Sequence, residues 1–121
     1  MGTTEQVQAN IRPFEPLSEA ETGLLAEVAE IIRGKTAIGC TGCAYCVPHC
    51  PRQIPIPQYI RLYNEICRYP KEDWKILPAY KQMTLSASKA SECIGCKACE
   101  KHCPQKLKIS EHMKAIARRF E

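Results

Sequence analysis

Eight of the nine cysteines of this 121-residue chain fall in two windows that share one spacing. The first holds Cys40, Cys43, Cys46 and Cys50, followed by Pro51; the second holds Cys93, Cys96, Cys99 and Cys103, followed by Pro104. Both read C-x2-C-x2-C-x3-C-P, the spacing by which four thiolates hold a cubane of iron and sulfide. Three cysteines two residues apart wrap a tight loop over one face of such a cluster. The fourth follows a longer gap, and the proline after it turns the chain away. Structural zinc prefers two C-x2–4-C pairs separated by a longer knuckle, which these windows do not form. Disulfides belong to oxidising compartments, and the sequence opens with no secretory leader.

Where two such windows share a chain, the fourth cysteine of each serves the other window's cluster. One 4Fe–4S cluster is therefore expected on Cys40, Cys43, Cys46 and Cys103. The second is expected on Cys93, Cys96, Cys99 and Cys50. Gly42 and Gly95 occupy the same place in the two copies, and lacking a Cβ each lets the backbone approach a cluster and aim N–H groups at sulfur. His49 and His102 each precede a fourth cysteine, facing either cluster sulfur or solvent. Val47, Ile94 and Tyr45 are candidates to shield cluster edges from water.

The elements that must position these loops read as helices. Residues 4–11 allow one or two turns. Ser18 and Glu21 form a capping box, and Leu24, Leu25, Val28, Ala29, Ile31 and Ile32 recur at helical spacing, so a helix is expected over 18–33 with this face in a core and Gly34 as its stop. Pro57 suits the start of a helix over 57–69, with Ile60, Tyr63, Ile66 and Cys67 inward and Pro70 ending it. Cys67, the ninth cysteine, reads as a small buried apolar residue. Residues 71–77, with Trp74 and Ile76, read as a connector, and Pro78 as the opening of a helix through about Ser86. Ser88 or Ser91 is expected to cap a short turn, and Ser110 a final helix to about Arg119, with Met113, Ile116, Ala117 and Phe120 inward. No stretch alternates as a strand would. The fold class is all-α: a helical ferredoxin-like domain with two 4Fe–4S clusters held by loops between helices. Residues 1–16 read as an N-terminal segment and linker, including Arg12-Pro13-Phe14-Glu15-Pro16, and residues 17–121 as the two-cluster domain.

Composition bounds the partners. A domain this small buries a modest core, and metal staples make up the difference. The formal charge is +4, but eight ligated thiolates and two doubly positive cores cancel it. Lys97, Lys101, Lys106, Lys108, Lys114, Arg118 and Arg119 make the C-terminal third basic, yet no aromatic residues interleave them to stack bases. An acidic redox partner, or a solvated face, fits better than nucleic acid. No apolar run suits a membrane, and cysteine usage places the chain in a reducing cytoplasm.

These residues resemble the iron–sulfur C-terminal domain of prokaryotic aldo/keto reductases. The specific parts are Ile38-Gly-Cys-Thr-Gly-Cys-Ala-Tyr-Cys46, Ile54-Pro-Ile-Pro57, Leu62-Tyr-Asn-Glu65, Ala90-Ser-Glu-Cys-Ile-Gly-Cys96 and Cys103-Pro-Gln105. Residues 1–10 resemble the start of the last helix of that family's barrel, where Gln6 and Asn10 match and Ala9 replaces a glutamate. The resemblance implies electron transfer beside a covalently linked or separate barrel, because the family's catalytic residues lie in the barrel and none stands here. A free-standing ferredoxin-like subunit of a larger redox complex is the alternative reading, and a structural or binding module with non-redox metal sites is the next.

Overall fold

The computed structural model describes residues 2–11 and 15–121. Most of the expected linker, at residues 12–14, lies outside them. Among the described residues there are six α-helices and no strand: α1 (Thr4–Asn10), α2 (Glu19–Gly34), α3 (Ile56–Arg68), α4 (Asp73–Met83), α5 (Ala98–Lys101) and α6 (Ile109–Phe120). Single 3-10 turns occur at Val47–His49 and Ala90–Glu92. The chain divides into two compact units, residues 1–31 and 32–121, with the boundary inside α2.

The first unit holds α1 and most of α2. Thr3 caps α1 by accepting from the Gln6 N–H. At α2 the capping box forms: the Ser18 N–H donates to Glu21 Oε2 at 2.9 Å and the Glu21 N–H to Ser18 Oγ at 3.3 Å. Two expectations fail here. No α2 residue is buried, and Leu24 and Ile32 are each 61% exposed, so the apolar stripe is not core. Gly34 ends the helix from within its last turn and is not among the residues with positive φ.

The second unit owns the core. Its centre is Ile38, Ile54, Ile56, Tyr59, Ile60, Leu62, Ile66, Ile76, Tyr80, Ile109, Met113, Ile116 and Phe120. The helical period explains α3 and α6, which pack on each other: Ile56, Tyr59, Ile60 and Ile66 line one face, and Ile109, Met113, Ile116 and Phe120 the other. Cys67, seven positions past Ile60, keeps the helical register of that face but lies in the last turn of α3, and is exposed rather than buried. Asn64 fixes the approach to the first cysteine window, accepting from the Ile38 N–H and donating to the Ile38 carbonyl, both at 2.8 Å.

Pro78 does not open a helix; it lies inside α4, which begins five residues earlier. The missing N–H leaves only the carbonyl of Trp74 without a helical donor, and Trp74 is exposed. Burial of Ile76 and Tyr80 on either side of Pro78 holds the helix through it. Nor do serines cap the later elements. Lys89 is the N-cap of the second 3-10 turn, its N–H donating to Glu92 Oε1 at 2.9 Å. Ser110 lies within the first turn of α6, behind Lys108.

Tyr80 ties α4 to both neighbours. Its hydroxyl accepts from the buried Ala90 N–H at 3.0 Å and donates to Glu121 Oε1 at 2.5 Å. The Ser91 N–H and hydroxyl also donate to the Glu121 carboxylate. Tyr80→Phe leaves the Ala90 N–H unpartnered and is expected to cost about 1–3 kcal/mol, read from a thermal melt. Partial burial works to raise the Glu121 pKa, but the hydrogen bonds from Ser91 and Tyr80 outweigh it and hold the carboxyl below its ordinary 4.5. A depressed pKa stabilises the fold above the unfolded value, and that contribution is lost as pH falls through the folded one. Glu121→Gln is therefore expected to lower the melting temperature near neutral pH and to lose that difference at low pH.

Candidate metal centre

The two cysteine windows fold alike. Counting 53 residues from Cys40 to Cys93, the same offset relates every left-handed residue of the two loops. Gly42 and Gly95 have φ of 72° and 69°, Ala44 and Lys97 of 63° and 60°, and Gln53 and Lys106 of 53° and 51°. At the glycines the demand is torsional, since nothing lies within 4 Å of where either Cβ would stand. These left-handed turns coil each loop so that its first three cysteines line one cavity, the middle one of each, Cys43 and Cys96, remaining exposed. The Gly42 N–H also points at Cys40 Sγ, at 3.4 Å. Each loop then leads into a core helix, the first into α3 and the second into α6.

Two similar small cavities result. Cys40, Cys43, Cys46 and Cys103 line the first. Cys50, Cys93, Cys96 and Cys99 line the second. Each takes three cysteines from one window and the last from the other. Ile56 and Ile109, equivalent residues of the two halves, line both cavities and so form the wall between them. The remaining lining is largely apolar, with no carboxylate at either cavity. The thiols ring a body of space rather than a point: among the described residues, no group of three or more His, Cys, Asp or Glu side chains is set for a single ion.

The electrostatics follow the same partition at Cys46 and cross it at Cys99, where Cys46 of the other cavity also acts. Burial pushes the Cys46 thiol up to about 11, and Cys40, Cys103 and Cys43 add to the rise. Burial likewise pushes Cys99 up to about 11, with contributions from Cys50, Cys46 and Cys93. Such thiols give up their protons to a metal rather than to water at neutral pH. The donor set, four soft sulfurs around an apolar cavity, fits a cubane.

His49 and His102 are both exposed, as the solvent-facing reading expects, but they do not stand separately. Their rings stack face to face, centroids 3.4 Å apart and 8° from parallel, which joins the two windows next to their last cysteines. Of the expected shielding residues, Ile94 lines the second cavity while 60% exposed, whereas Tyr45 and Val47 line neither. Among the lining residues to which the sequence assigns no place are Ala44 and Gln105 at the first cavity and Arg52 and Lys97 at the second. The 53-residue repeat pairs them, and that was the available signal. Glu100, in α5 of the second window, accepts from the buried Ser110 N–H at 2.8 Å and hydroxyl at 2.6 Å, so a carboxylate from the cysteine loop anchors the start of α6.

The profile of the 4Fe-4S dicluster domain family matches residues 39–109, more than half the chain. The chain belongs to that family: it is a helical electron-transfer domain carrying two 4Fe–4S clusters. No curated protein and no solved structure matches it. Among the described residues no helix is long and apolar enough to cross a membrane.

Proposed function

We propose that this domain relays single electrons within a larger oxidoreductase, with Cys40, Cys43, Cys46 and Cys103 ligating one cluster and Cys50, Cys93, Cys96 and Cys99 the other. The observation that carries the ligand assignment is the sharing of each cavity between three cysteines of one window and the last of the other. Bound clusters supply reversible one-electron chemistry, at potentials set by burial, charge and N–H donors. The chain's own residues supply the rest. The α3 and α6 faces exclude water, the Ile56–Ile109 wall keeps the sites adjacent, and Gly42 directs an N–H at sulfur.

The oxidoreductase partner is proposed from the sequence resemblance, with an aldo/keto reductase barrel, linked or separate, as the partner. Lys97, Lys101 and Lys106 are exposed near the second window and suit an acidic surface. Paired substitutions test the ligand assignment. Cys50→Ala with Cys93→Ala strikes one cluster and is expected to leave about four irons and one reducible signal. Cys40→Ala with Cys50→Ala strikes both clusters and is expected to abolish both signals. The reverse pattern of iron retention overturns the crossed assignment. An anaerobically purified chain that holds zinc in place of iron, or clusters that dithionite does not reduce, overturns the electron-carrier reading.

A further inference from the structure

The two cavities match in cysteine placement, loop handedness and size, but not in charge. At the second cavity stand Arg52 and Lys97. The residues 53 positions away from them, at the first cavity, are Gln105 and Ala44. Lys97 and Ala44 share the same left-handed backbone, φ 60° and 63°, so the difference is confined to the side chain. One anion offsets it in part. Glu100, whose counterpart is Val47, acts on Cys99, but it does not line the cavity and its carboxylate is engaged with Ser110. The second cavity thus keeps two cations at its wall where the first has none; Arg61 and Arg68 share a neighbouring pocket with Cys40, but outside that wall and with Glu65 beside them.

Reduction adds one negative charge to a site already bearing four thiolates, and nearby cations stabilise that added charge. We infer that Arg52 and Lys97 make the site of Cys50, Cys93, Cys96 and Cys99 the first of the two to accept an electron, the other site filling second. This inference rests on the electron-carrier reading above. An external one-electron donor, dithionite in the test, gives up the electron, one core passes from 2+ to 1+, and no bond forms or breaks. The chain thereby has a direction: an electron entering at the site of Cys40, Cys43, Cys46 and Cys103 passes across the Ile56–Ile109 wall to the second site.

The test is an anaerobic potentiometric titration of the whole chain followed by EPR, after iron and sulfide have been counted. The wild-type protein is expected to reduce in two one-electron steps separated at least tenfold in equilibrium constant, about 59 mV. Arg52→Gln with Lys97→Ala, which copies the neutral cavity, is expected to lower the higher midpoint and bring the separation below tenfold. Ala44→Lys with Gln105→Arg is expected to raise the lower midpoint instead, and it carries the test alone should the first pair not load. Arg52→Lys with Lys97→Arg keeps the charges and is expected to keep the separation. Coincident wild-type midpoints in an eight-iron protein overturn this inference alone. So does a charge-removing pair that moves only the lower midpoint, or a charge-keeping pair that collapses the separation as fully. A chain without iron overturns the electron-carrier reading and this inference with it.

Discussion

Removing iron from the anaerobically purified protein is expected to unfold residues 32–121, not to leave an empty helical frame. The core helices α3 and α6 pack on each other, but each is entered through a loop of left-handed turns that its own residues do little to favour. Ala44, Gln53, Lys97 and Lys106 all sit at positive φ without the freedom of glycine. Ligation is what over-determines those torsions. The core also surrounds two cavities whose walls include Ile54, Ile56, Ile60, Ile109 and Met113. With the clusters gone, those side chains lose their inner contacts.

Magnitudes decide the outcome. Structural zinc sites contribute about 10–16 kcal/mol of apparent binding energy, and eight thiolate bonds to two clusters are at least of that order. A whole domain is stable by only about 5–15 kcal/mol. Far-UV circular dichroism during chelation under ferricyanide should fall in step with iron content. A metal-free chain that keeps its helicity and melts cooperatively would show the clusters to be passengers on an autonomous fold.

The cysteine windows were the most legible part of the sequence because cluster ligation constrains spacing within a single loop. The faces of α3 and α6 were legible for a similar reason, since burial imposes a period on neighbouring residues. What escaped was set by residues far apart in the chain. Pro78 forbids a helix interior by local rules, and the burial of Ile76 and Tyr80 overrides them. The His49–His102 stack joins residues 53 apart, and no local pattern announces it. Ser110 has the chemistry of a cap but is instead held by Glu100 from the preceding loop. The left-handed turns at Ala44 and Lys97 carry no glycine to mark them, so their shared handedness is visible only in the backbone, although the 53-residue repeat already pairs the two residues. The α2 stripe is the converse case: its period is helical, but period alone does not say what covers a face.

Met113→Ala should produce a large effect, and an unequal one. Met113 is fully buried in α6 and lines the cavity of Cys50, Cys93, Cys96 and Cys99. Truncating a buried methionine to alanine costs about 2–5 kcal/mol, because the transfer energy is lost and a cavity is left behind. Here that void opens onto one cluster site and not the other. The counterpart 53 residues earlier, Ile60, lines the cavity of Cys40, Cys43, Cys46 and Cys103. Met113→Ala should therefore release iron in air in two phases of about four irons each, the faster belonging to the site of Cys50, Cys93, Cys96 and Cys99. Ile60→Ala should reverse which site bleaches first, and Met113→Leu, close in volume, should stay near wild type. Assigning each phase by the EPR signal that survives it separates local exposure from general destabilisation: a softened fold loses both clusters together, whereas an opened wall loses one.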